Sequence, residues 1–194
     1  MAKEKNKNVK ENVEPLVEQY DPYKDGGVRL KQLLAGSKFI YRDTNLSKDQ
    51  LSKFQVGMFF KEHTACDATA KFGGINGNVR FLIVTSTPKD LSVLSPNPSF
   101  AHSVVGMNEV YKVIAVSEKQ GYFQITVLHV PNEFRSYFSS QDAQGFEGLV
   151  LQSTEQDFNE ACTVPVDPDL EHPDWVERVK PPIGLDNNHE PIPA

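Results

Sequence analysis

The segment "GMNEVYKVIAV" (Gly106–Val116) puts an acid at the mouth of a strand. From Val110 onward, Val110, Tyr111, Val113, Ile114 and Val116 are β-branched or aromatic and nearly alternate, as in a half-buried strand. Glu109 stands just before that run, so its carboxylate is either a solvated strand end or a group aimed into a cleft. A turn containing Gly121 and the run "YFQITVLHV" (122–130) make this strand the first arm of a hairpin.

Working outward, "VRFLIVTST" (79–87) is apolar on both faces and predicts a central strand. Between it and Gly106, "PKDLSVLSPNPSFAHSVVG" reads as a long, proline-interrupted loop, uncommon in a compact domain unless it has a function. His102 within it is placed to do acid–base work near a cleft, although a lone loop histidine reads more simply as solvent-exposed. Further upstream, "SKFIYRD" gives a first strand over Lys38–Arg42, and "VGMFFKEH" gives a second. In "NLSKDQLSKF", Ser47 and Gln50 have capping-box spacing ahead of a short helix. "TACDATAKFGG" reads as a turn and a small helix, and two more helices are expected in "EPLVEQYDPY" and "GVRLKQLLAG".

Beyond Pro131, the apolar residues from Phe134 to Leu151 keep no clean period. Seven of the 13 prolines fall between Thr163 and Ala194, which predicts an extended tail, with Trp175 pinning it to the body. The expected organisation is a charged head over 1–13, one domain over 14–160 and a proline-rich tail over 161–194.

Composition narrows the function. With 39% hydrophobic residues the chain can build a single core, and a net charge of −6 lacks the positive field that gathers phosphates, so nucleic acid is not an expected partner. The first residues hold no apolar signal segment, and nowhere do eighteen apolar residues run together, so no membrane span is expected. The two cysteines, Cys66 and Cys162, read as reduced thiols of a cytoplasmic protein. His63 and Cys66 have an H-x-x-C spacing without a second pair of ligands nearby, so no metal site is expected. Neither a nucleophile elbow nor a glycine-rich phosphate loop occurs.

The order of these segments resembles the ADP-ribosyltransferase fold, in the arginine–serine–glutamate branch that includes bacterial toxins and phage modifying enzymes. "KFIYRD" carries the resemblance for the first-strand arginine, "FFKEHTACDATAKF" for the serine-threonine-serine strand and "GMNEVYKVIAV" for the catalytic glutamate, over Glu14 to Val130. The resemblance implies a single α+β domain with a split mixed or antiparallel sheet of about six strands and mainly N-terminal helices. It implies NAD as substrate, with ADP-ribose passed to a protein or other acceptor, or NAD hydrolysed.

On this resemblance Arg42 holds a phosphate of NAD through its planar fork, Thr64 and Cys66 support the pocket, and Phe72 lines the nicotinamide side. Glu109 stabilises the ribosyl cation as the glycosidic bond breaks. Arg42 and Glu109 are expected to converge across one crevice, covered by the loop from Pro88 to Gly106. Two departures stand out. Thr64-Ala65-Cys66 replaces serine-threonine-serine, and Met107 stands two residues before Glu109, where transferases acting on arginine or asparagine carry glutamate or glutamine. The alternative is a non-enzymatic acidic module that binds a protein partner through its tail and long loop.

Overall fold

The structure, a computed structural model, describes residues 32–194. The expected helix in "EPLVEQYDPY" lies outside these residues, as does most of the one in "GVRLKQLLAG", of which 32–35 are helical. The chain forms an α+β domain around one mixed, eight-stranded sheet in the order β2-β7-β8-β4-β1-β3-β6-β5. The strands are β1 (Lys38–Thr44), β2 (Phe59–Glu62), β3 (Cys66–Thr69), β4 (Val79–Thr85), β5 (Lys89–Asp90), β6 (His102–Val105), β7 (Glu109–Lys119) and β8 (Tyr122–His129). All pairs are antiparallel except β4 with β8.

β4 is buried along its whole length between β8 and β1, as its unbroken apolar run predicts. The β7–β8 hairpin turns at Gln120 and Gly121, whose φ values of +54° and +84° give the left-handed pair that matches strand twist. Ser47 and Gln50 form the expected reciprocal cap of the short helix Lys48–Ser52.

A flat sheet would set β2 and β3 about 24 Å apart, five strand spacings. Yet only His63, Thr64 and Ala65 link Glu62 to Cys66, a reach of at most about 14 Å. The sheet therefore curls until its β2 edge approaches β3. It also nearly splits between β1 and β3, which share the single register pair Tyr41↔Thr69.

Inside the curl lies the main core, with Ile40, Phe60, Cys66, Phe81, Ile83, Tyr111, Val113, Ile125, Val127 and Ile183. The outer face, with Tyr41, Leu82, Val84, Val110, Ile114 and Leu128, is covered in part by the helix Gln144–Ala161. That helix buries Val150, Thr154, Phe158 and Ala161 on one side.

Two expectations are corrected. Cys66–Thr69 is a strand rather than a small helix, because its small side chains fit the tight interior of the curl and its backbone pairs with β6. The stretch from Pro88 to Gly106 is not a plain loop, for it returns β5 and β6 to the sheet and buries His102 against Asp67. Among the described residues the helices lie mainly after Pro131, while the expected N-terminal helices fall outside them apart from 32–35.

The chain beyond Thr163 contains the helix Pro173–Val179, which starts with proline in its first turn. Trp175 is buried against Phe100, as expected, with ring centroids 5.4 Å apart. From Lys180 the backbone runs on as a strap over the curl, burying Ile183 and Leu185 in the main core, and Phe60 bridges to Pro193.

Candidate functional site

Register puts Arg42 and Glu109 on the same face. Arg42 pairs with Phe81 across β1 and β4, Phe81 with Ile125 across β4 and β8, and Tyr111 with His129 across β8 and β7. Arg42, Phe81, Ile125, His129, Tyr111 and Glu109 therefore all face the interior of the curl or its rim. Tyr41, one residue earlier, faces the outside. Asp43 does too, and it pairs with Arg80 rather than with Arg42, at 2.7 Å for both guanidinium contacts.

Arg42 is 5% exposed. Its Nη1 donates to the Asp67 carbonyl at 2.9 Å, and its Nη2 donates to the Pro181 carbonyl of the strap. The neighbouring Thr44 hydroxyl donates to the Lys180 carbonyl at 2.8 Å. Among the described residues, Arg42 Nε is buried without a hydrogen-bond partner, and the buried hydroxyl of Tyr111 has no partner other than the soft thiol of Cys66.

Cys66 lies between these two groups. Its thiol is pushed up to about 11, chiefly by burial, against an opposing pull from Arg42. The Tyr111 hydroxyl beside it is raised well above its ordinary value, again by burial first, then by Cys66, Glu62 and Glu109. At neutral pH both groups are neutral.

On the other flank stand two carboxylates, because β2 and β7 set Glu62 opposite Glu109. Glu62 Oε1 accepts from the Thr64 amide at 2.8 Å and the Thr64 hydroxyl at 2.6 Å, and Oε2 accepts from the Gly184 amide at 2.8 Å. The Glu109 side chain is 35% exposed, and its Oε2 lies 3.0 Å from His129 Nε2.

Of the residues singled out in the sequence, Arg42, Cys66 and Glu109 thus lie on one face of the sheet. Thr64 reaches it through Glu62. Phe72 does not join them: it packs edge-on against Tyr41, with centroids 5.8 Å apart, on the outer face. The expected open crevice is filled between Arg42 and Glu109 by Phe60, Cys66, Tyr111, Glu62 and the strap. Glu62, Thr85 and His129 carry no signal in the sequence that marks them for a site, and Tyr111 reads there only as a strand residue.

The solved structures to which this chain is similar include ADP-ribosyltransferases. One is the ADP-ribosyltransferase HopU1 of Pseudomonas syringae pv. Tomato DC3000, at 19% identity over 48% of this chain and 45% of that one, with a TM-score of 0.44. A second is the ADP-ribosyltransferase Vis, at 16% identity over 50% of this chain and 50% of that one, with a TM-score of 0.42. A third is C3stau2 from S. aureus, solved with NAD, at 11% identity over 50% of this chain and 63% of that one, with a TM-score of 0.42. The aligned part spans about half the length of the first two of these proteins. No protein-family model matches the chain, and no curated protein does.

Proposed function

We propose that this chain cleaves the nicotinamide–ribose bond of NAD and passes ADP-ribose to a protein, to another acceptor or to water. The observation that carries this reading is an orphaned polar group: Arg42 Nε is buried without a partner on the face that also carries Glu109. A buried donor left unmade costs about 1–3 kcal/mol, and a phosphate or ribose oxygen seated there would satisfy it.

In this reading Arg42 holds the pyrophosphate and Glu109 stabilises the cation that develops at the ribose as nicotinamide leaves. The acid is most useful in the transition state, where positive charge exists, rather than in the ground state. Cys66, neutral and fully buried, supports the pocket by packing rather than as a nucleophile. Thr64 acts on that face through Glu62. Met107, exposed two residues before Glu109, has no group able to deprotonate an acceptor, which favours water or an already nucleophilic acceptor. NAD reaches Arg42 only if the strap lifts from the two contacts at Pro181 and Lys180.

A second reading is favoured by that same strap. Because two carbonyls already answer the Arg42 guanidinium, a protein that never releases the strap would be a non-enzymatic binding module. Incubation with NAD separates the two. Nicotinamide release by the wild type, abolished in Glu109→Gln with NAD binding retained, supports the enzyme, and Arg42→Ala should weaken NAD binding itself. An inert protein with no thermal stabilisation by NAD supports the module.

A further inference from the structure

Glu109 opens β7 at the rim of the curl, where a carboxylate would ordinarily rotate in solvent. Here it is tethered. The His129 ring, whose side chain is 4% exposed, sets Nε2 at 3.0 Å from Glu109 Oε2. An ionised carboxylate can only accept, so Nε2 carries the hydrogen, and Nδ1 is an acceptor whenever the ring is neutral. The hydroxyl of Thr85, buried in β4, lies 2.9 Å from Nδ1, and the Thr87 amide donates back to that hydroxyl at 3.3 Å. With the ring neutral, the links run from the Thr87 amide to the Thr85 hydroxyl, from that hydroxyl to Nδ1 and from Nε2 to the carboxylate, and the Thr87 hydroxyl lies 3.5 Å from Nδ1 as well. The ring also packs against Tyr111, with centroids 5.7 Å apart.

The other carboxylate oxygen, Oε1, has no hydrogen-bond partner among the described residues. A Cβ on residue 106 would stand 3.2 Å from it, so glycine keeps that approach clear.

We infer that His129 is a positioning residue for Glu109: with Thr85 behind it, the imidazole fixes Oε2 and leaves Oε1 as the oxygen presented to the reacting ribose. This rests on the reading under Proposed function. A carboxylate already aligned when positive charge develops needs no reorganisation at that moment. The loss of one hydrogen bond to a charged group corresponds to about a 10- to 100-fold change in rate.

Two variants of the full chain test this, with nicotinamide release from NAD as the assay. His129→Leu removes the donor, while His129→Gln returns an amide N–H near the position of Nε2. The expected result is a fall in kcat of about 10- to 100-fold for His129→Leu with KM for NAD nearly unchanged, and recovery of most of that loss in His129→Gln. A His129→Leu protein with wild-type kcat overturns the inference, as does a His129→Gln protein equally impaired. A wild type that releases no nicotinamide sinks the functional reading instead. The tether is then judged by nitrogen-15 NMR of the histidines: an exchange-protected Nε2–H of His129 that disappears in Glu109→Ala supports it, and one that persists overturns it.

Discussion

Glu62 and Glu109 face each other across β2 and β7 as one register pair. Like charges so placed work against a sheet, and each carboxylate here is answered by its own donors: Glu62 by Thr64 and Gly184, Glu109 by His129. Glu62 therefore does two tasks, since one oxygen orders the β2–β3 link and the other holds the strap.

Glu62→Gln replaces one of those acceptor oxygens with a donor, which then meets either Thr64 or the Gly184 amide. The expected result is a loss of about 1–3 kcal/mol in urea unfolding, with faster amide exchange at Gly184 and Ile192. Unchanged exchange at both would detach the strap from Glu62.

Gly184 offers an independent handle on the strap. Its φ is +73°, and a Cβ there would stand 2.1 Å from Phe60 Cδ2 in the main core. Gly184→Ala should lower Tm and make the chain after Lys180 sensitive to brief proteolysis. In the enzymatic reading it should also tighten NAD binding, because the strap competes for Arg42.

The Asp43–Arg80 pair lies on the opposite face from the proposed chemistry. Arg80 also donates to the Gly73 and Gly74 carbonyls, and Asp43 accepts from the Asn76 amide, so the pair staples the loop before β4. Arg80→Met strands a buried carboxylate and should cost about 3–5 kcal/mol, while the double variant with Asp43→Leu should regain part of it. Additive losses would contradict this.

Stability should also fall in alkali. The unfolded Cys66 thiol titrates near its ordinary 9.0, while burial raises the folded one to about 11. The unfolded chain thus binds fewer protons than the native one through this window, so stability is full below pH 9 and declines as pH rises towards 11, by at most about 3 kcal/mol. Tyr111 adds a decline of the same sign. Urea midpoints from pH 8 to 11 should show it, and Cys66→Ala should flatten the slope without removing it.

Strong local patterns made β1, β4, β7 and β8 legible in the sequence, together with the capping box of Lys48–Ser52. The strand Cys66–Thr69 was illegible because Cys-Asp-Ala-Thr is only four residues long, carries no large or β-branched apolar side chain, and pairs with β6 and β1, both distant in sequence. In the helix Gln144–Ala161, Thr154 interrupts the buried side, and glycines at 145 and 148 dilute the pattern. Arg42 and Glu109 were readable as members of a motif. His129 was not, and the cause is one residue.

An unbroken hairpin from Gln120 and Gly121 would pair His129 with Lys112 and turn Tyr111 and Glu109 to the outer face. The bulge between Val113 and Ala115 slips the register, so that His129 meets Tyr111 and reaches Glu109. Glu62 was hidden differently, since its place opposite Glu109 follows from pairing strands that lie far apart in sequence.

The most direct measurement is nicotinamide release from NAD by the purified chain and by Glu109→Gln, a variant of nearly equal shape that lacks the charge. Turnover by the wild type is expected, with a loss of at least about 100-fold in kcat for the variant and NAD binding little changed. Equal turnover by the two proteins, or none by either, would contradict this.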